Sequence, residues 1–196
     1  VGRDEGVQWS QPATGNNSMS EMAEIMVWKD TENVKVTEGE AVGSYPDTPL
    51  QRYRRTFVWK EGDYIMVLDD IRASEEIETT WLVQSETLKE ASSGENAFIL
   101  EKGAASCPFE LIGSEEYSYE IVTSSADNRG DPLGWDQLQA KVNSEEVRFV
   151  SVYYPWGGDA AVDVEFSTSE EATITVNGSD FEDTWTWEYA PDNETA

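Results

Sequence analysis

Polar and apolar residues alternate with a period of two along most of the chain, and apolar stripes at helical spacing are nearly absent. The alternating runs are Glu21–Trp28, Asn33–Thr37, Gln51–Trp59, Asp63–Asp69, Ile77–Gln84, Ala97–Glu101, Pro108–Ile112, Tyr117–Thr123, Leu138–Asn143, Val147–Tyr154, Ala161–Phe166, Ala172–Val176 and Thr184–Tyr189. Glycine, proline, asparagine and aspartate punctuate them, as in Lys60-Glu61-Gly62-Asp63, Asp131-Pro132-Leu133-Gly134 and Asn177-Gly178. These are the residues that tight turns need. Short strands joined by tight turns, without long helices or a long-period repeat, predict an all-β fold. The expected arrangement is an antiparallel β-sandwich of two large sheets, with a closed barrel as the alternative.

The strands fill residues 21–190, which are expected to form a single domain. Residues 1–20 are polar and turn-rich and read as an irregular lead-in, and 191–196 as a frayed tail. Within Gln51–Trp59, the residues Tyr53, Phe57 and Trp59 share one parity and are expected to face the core. Arg55 shares that parity and therefore needs a carboxylate. Asp69 or Asp70 can supply it, because the turn Lys60–Asp63 makes the following strand a neighbour.

Composition narrows the functional classes. The 196 residues carry 40 acidic and 13 basic side chains, a formal charge of −27, and no histidine. Histidine-dependent triads, imidazole bases and His-ligated zinc are thereby excluded. Nucleic acid and anionic membrane surfaces are excluded as partners, since both are bound through lysine and arginine. No apolar run approaches the roughly 18 residues of a membrane span. The acids are spread in pairs such as Glu75-Glu76, Glu115-Glu116, Glu145-Glu146 and Glu170-Glu171. Such a surface either keeps copies apart by like charge or reflects adaptation to saline water. The single cysteine, Cys107, has no partner for an internal disulfide and reads as a small core residue. The chain opens at Val1 without methionine, as a processed protein or a piece of a longer one does.

Three segments carry a family likeness: Arg54-Arg55-Thr56-Phe57-Val58-Trp59, then Gly62-Asp63-Tyr64-Ile65-Met66-Val67-Leu68-Asp69-Asp70, then Trp81-Leu82-Val83-Gln84. Over residues 20–90 the chain resembles the C-terminal β-sandwich of heparinase II/III-like polysaccharide lyases. The resemblance implies export to the periplasm or the cell exterior. It also implies an acidic, uronate-containing polysaccharide as partner and an upstream helical toroid in the same protein. Such lyases act by β-elimination, with a tyrosine or histidine base, and keep most of that machinery on the toroid. Some hold zinc through histidines of the sandwich. Here Gln84 stands where the family commonly has histidine, so neither base nor metal carries over and no catalytic residue is assigned. The expected role is non-catalytic, supporting the toroid and shaping the substrate site. The alternatives are a freestanding carbohydrate-binding module and an enzyme with a tyrosine base.

Sugar contacts are sought among exposed aromatics and arginines. Tyr153-Tyr154-Pro155-Trp156-Gly157-Gly158 ends a strand in an aromatic and glycine loop, and Tyr153, Tyr154 and Trp156 are candidates for stacking on sugar rings. Trp156 could instead fold back to close the core. Arg52, Arg54 and Arg55 form a local positive island, in which Arg52 and Arg54 are candidates for a uronate or sulfate. Carboxylates such as Glu24, Asp69 and Asp70 compete for them, and pairing across strands is the favoured outcome. Trp185, Trp187 and Tyr189 alternate on one face, as a lid on the sandwich core does. No cofactor is expected. Asp127-Asn128-Arg129-Gly130-Asp131 groups oxygen ligands as calcium loops do, but lacks the full twelve-residue spacing and is taken as a polar turn. Asn177-Gly178-Ser179 and Asn193-Glu194-Thr195 match glycosylation sequons.

Overall fold

A computed structural model of the chain describes residues 24–45, 47–92, 95–123, 134–157, 161–167 and 171–189. Twelve strands lie among them: β1 (Glu24–Asp30), β2 (Val34–Glu40), β3 (Leu50–Lys60), β4 (Tyr64–Ser85), β5 (Thr87–Glu90), β6 (Ala97–Lys102), β7 (Ala105–Gly113), β8 (Ser118–Thr123), β9 (Asp136–Tyr153), β10 (Ala161–Ser167), β11 (Glu171–Asn177) and β12 (Glu182–Glu188). A short 3₁₀ turn covers Val42–Ser44. Nine strands form one antiparallel sheet in the order β1-β2-β3-β4-β9-β7-β6-β5, with β8 also paired to β9, and β10-β11-β12 form a second. The two layers are therefore unequal, the second being a three-stranded cap.

The large sheet supplies a further layer by bending on itself. Trp81 donates its indole N–H to Asp69 at 3.0 Å, although both belong to β4 and lie twelve residues apart. A straight strand would separate them by about 40 Å. The fold-over occurs where the β4–β9 register shifts between Arg72 and Ile77. Ala73-Ser74-Glu75-Glu76 contains neither glycine nor proline, so the strand bulges without ending. For the same reason the runs expected at 63–69 and 77–84 are one 22-residue strand, and those at 138–143 and 147–154 are one of 18 residues.

Two cores follow. Ile71, Val147, Phe149, Phe109, Leu111 and Phe98 on the near half of the bent sheet pack with Trp81, Leu138, Ala140 and Val142 on the folded-over half. On the opposite face, Val58, Met66, Leu68, Val150 and Val152 meet Ala172, Ile174, Val176 and Trp187 of the cap. The first half of β4 is buried on both faces, which is why Tyr64–Leu68 is a continuous apolar run. Cap and sheet are also joined by polar contacts. Trp185 Nε1 donates to Tyr64 Oη at 2.6 Å, Tyr64 donates to Asp183 at 3.1 Å, and Lys60 pairs with the same carboxylate. Trp187 and Tyr189 are buried, as a lid requires.

The expectation for β3 is corrected in one respect. Thr56 and Val58 are the residues buried beneath the cap, whereas Phe57 and Trp59 are 43% and 37% exposed. Tyr53 alone of that parity packs against the first core. The first core reaches β3 only at its Leu50 and Tyr53 end and leaves Phe57 and Trp59 uncovered. Cys107 is half-buried rather than deep in a core, and burial raises its thiol pKa.

Candidate functional site

Strand register fixes which side chains share the partly covered face. One row across the sheet runs Phe109, Tyr153, Ile65, Trp59, Lys35, Asp30. The next runs Leu111, Ser151, Val67, Phe57, Thr37, Trp28, and the third Gly113, Phe149, Asp69, Arg55, Gly39, Ile25. Residues at the β7 and β9 end lie in the core, and those at the β1–β3 end are open.

Arg55 and Asp69 stand at the boundary. Arg55 Nε and Nη2 bond the two oxygens of the fully buried Asp69 at 2.6 and 3.0 Å, and Trp81 supplies the third donor. Of the two acids considered for Arg55, the partner is Asp69. Burial opposes the charge on Arg55, but the adjacent Asp69 outweighs it and the guanidinium pKa is raised. Tyr53 and Tyr153 flank this pair, and burial together with the Asp69 charge pushes each hydroxyl up to about 12. Both phenols therefore keep their protons at neutral pH.

Arg52 and Arg54 project to the other face and are engaged there. Arg52 bonds Asp70 at 3.0 Å. Arg54 Nε bonds Glu40 at 3.2 Å, and the remaining Glu40 oxygen accepts the backbone N–H groups of Val42 and Tyr53. Asp70 is shared with Arg148 at 3.2 Å, whose guanidinium lies 3.6 Å from the centre of the Tyr189 ring. The three neighbouring arginines thus divide between the two faces and do not form one positive island.

Trp156 is 52% exposed on the turn after β9. Gly157 adopts φ 76° there, and its N–H bonds the Tyr154 carbonyl at 3.0 Å to close the turn. Tyr153 stacks on Phe109, with centroids 5.0 Å apart. Tyr154 is only 3% exposed and packs beneath the cap, so it supports the turn and has no face to offer a sugar. Of the three aromatics proposed from sequence, only Trp156 is presented to solvent as a platform. Gln84 lies exposed on the folded-over half of β4. The calcium-like run 127–131 lies outside the described residues. No grouping of three or more metal-ligating side chains occurs among the described residues.

No family model and no curated protein matches the sequence. Solved structures do match its fold. A heparinase III structure superposes with TM-score 0.62 over 85% of this chain at 14% identity, and another does so with TM-score 0.62 at 12% identity. The heparan sulfate lyase HepC from Pedobacter heparinus gives TM-score 0.60 over 86% at 14% identity. The fold is a heparinase-like β-sandwich. This chain covers only 27–28% of the length of those proteins. Among the described residues no helix is long and apolar enough to cross a membrane.

Proposed function

We propose that the chain is the non-catalytic sandwich module of a heparinase II/III-like polysaccharide lyase acting on an acidic, uronate-containing polysaccharide. It acts in the periplasm or outside the cell, where it supports a helical toroid of the same protein and shapes the approach to the substrate. The observation that carries this role is the match over 85% of this chain but 28% of a heparinase III. The exposure of Trp156 favours, as a second function, direct sugar contact by a freestanding binding module.

The test is incubation of the isolated chain with heparan sulfate, hyaluronan, alginate or ulvan while following the ultraviolet absorbance of unsaturated uronate. No rise is expected. A rise abolished by Tyr53→Phe or Tyr153→Phe overturns the non-catalytic role. Titration with oligosaccharides of the same polymers, on the parent and on Trp156→Ala, measures sugar contact separately.

A further inference from the structure

We infer that the open face of β1–β3, on the opposite side of the sheet from the cap, is a binding site for an acidic oligosaccharide, with Arg55 as its anion contact. The inference rests on the acidic-polysaccharide role proposed for the module. Its observations are independent of the Trp156 turn.

Three features build the site. The first is a hollow of about 340 Å³ lined by Ile25, Thr37, Gly39, Ala41, Arg55 and Phe57. It exists because Gly39 occupies the middle of the row Ile25–Gly39–Arg55 with no side chain. A Cβ at Gly39 would lie 3.3 Å from the Glu24 carbonyl. The volume falls within the range of about 300–1,000 Å³ typical of small-ligand sites.

The second feature is the guanidinium at one wall of the hollow. Asp69 holds Nε and Nη2 of Arg55, and Nη1 has no hydrogen bond among the described residues. Arg55 is partly exposed although its partner is fully buried. The donor is thus fixed in place before a ligand arrives, which lowers the ordering cost of binding. Carboxylate and sulfate are the groups that such a fork recognises.

The third feature is a set of aromatic surfaces beside that donor. Phe57 and Trp28 occupy one row, two strand spacings or about 9–10 Å apart. Trp28 is 68% exposed. Trp59 lies in the adjoining row, with the Lys35 ammonium 5.5 Å from its ring centre. Exposed aromatic faces beside a fixed cation suit a ring that is apolar on one side and carries an acid.

Local charge agrees. In a chain of charge −27, the open rows contain Lys35, Arg55 and Asp30, with Asp30 paired to Lys35 at 3.1 Å. Asp69 is buried beneath Arg55. Glu40 also lines the hollow, but its carboxylate is occupied by Arg54 and two backbone N–H groups. Glu24, exposed at the rim, has no such partner among the described residues and opposes an anion.

The experiment is calorimetric titration of the whole chain with a hyaluronan tetrasaccharide and with neutral maltotetraose. The variants are Trp28→Ala, Phe57→Ala, Arg55→Lys, Glu24→Gln and Trp156→Ala, each first shown by circular dichroism to be folded at the titration temperature. Arg55→Lys retains a charge for Asp69 but loses the fork. It is expected to weaken the acidic sugar about tenfold, equivalent to about 1.4 kcal/mol. The same direction is expected for Trp28→Ala and Phe57→Ala. Glu24→Gln is expected to tighten the acidic sugar about threefold without changing the neutral one, a sign that a purely structural role does not produce. If Trp156→Ala abolishes binding while the β1–β3 variants bind like the parent, this site is wrong and the module's polysaccharide role stands. If the parent binds no acidic sugar, this site is wrong, while the supporting role, which rests on the fold match, stands. If light scattering shows a dimer that Trp28→Ala disperses, the face is a protein interface and the inference is overturned.

Discussion

Replacing Asp69 with asparagine preserves the side-chain shape while removing the charge on which three donors converge. The fully buried carboxylate receives Arg55 Nε at 2.6 Å, Arg55 Nη2 at 3.0 Å and Trp81 Nε1 at 3.0 Å. An asparagine has one acceptor oxygen, so its NH₂ stands either at the Oδ1 position, where Arg55 Nε loses its acceptor, or at the Oδ2 position, where Arg55 Nη2 and Trp81 Nε1 both lose theirs. Breaking a buried pair costs about 3–5 kcal/mol, and a hydrogen bond to a charged group is worth about 1.5–3 kcal/mol. Arg55 is partly exposed, and water screens part of its loss, so about 3 kcal/mol is the appropriate figure for the variant. At about 2–4 °C per kcal/mol for a domain of this size, Asp69→Asn should melt roughly 6–12 °C below the parent. Circular dichroism melts measure this. Trp81→Phe, which removes only one of the three donors, should lose less. Arg55→Met combined with Asp69→Leu should recover part of the deficit, because an apolar pair replaces an ionic one without stranding a charge, while the buried Trp81 N–H is left without its acceptor. A drop below about 2 °C for Asp69→Asn, or a double variant no better than the single, would refute the idea that this carboxylate ties the folded-over half of β4 to the sheet.

Two other outcomes follow from charge. The melting temperature should rise with sodium chloride, because raising the salt from 0.1 to 1 M shortens the Debye length from about 10 to 3 Å and screens repulsion among the carboxylates; a flat or falling series would show that this repulsion does not limit stability. Burial raises the Asp70 carboxyl in spite of Arg148 and Arg52, and burial also raises Glu110. A raised carboxyl binds its proton more tightly in the folded state. Each therefore lowers stability above its folded pKa, and that loss is relieved as pH falls through the folded value toward the unfolded one of about 4. Denaturant melts across mildly acidic pH should show stability increasing as pH falls, with a smaller slope in Glu110→Gln.

Much of the fold could be read from period-two alternation, since most strands present different faces to different environments. Strand breaks were harder to place. Ser74-Glu75-Glu76 looks like a linker because it is polar, but it is polar because the bend of β4 is exposed to water on its outer side. Parity within β3 was correctly read as a shared face for Tyr53, Arg55, Phe57 and Trp59, yet the side assigned to it was wrong for Phe57 and Trp59. Both faces of β3 carry large or apolar groups, so hydrophobicity alone could not choose between them; what decides is where the folded-over half and the cap end. The Arg55–Asp69 pairing was accessible because it needs only a hairpin. The Trp81 contact depends on a bend that no local signal announces. Trp28, Ile25 and Gly39 were missed as site residues because strand pairing, rather than sequence proximity, brings them beside Arg55.

The distribution of positive charge links the fold to the proposed role. Arg52, Arg54, Arg55 and Arg148 each face a carboxylate of the same sheet, so the described arginines of this group neutralise internal acids and leave the external field strongly negative. A polyanion at a distance is repelled, and only short-range contacts can hold it. Contacts of that kind require a fixed donor and an apolar surface within a few ångströms of each other. Arg55 beside Phe57 offers both, whereas Trp156 offers the surface alone. Salt should consequently aid the encounter with an acidic sugar by screening the field, and weaken the final guanidinium contact. Screening of the field acts on the association rate at either face, whereas the weakened guanidinium contact acts at the Arg55 face alone, so the salt dependence of the dissociation rate is the quantity most sensitive to which face the sugar meets.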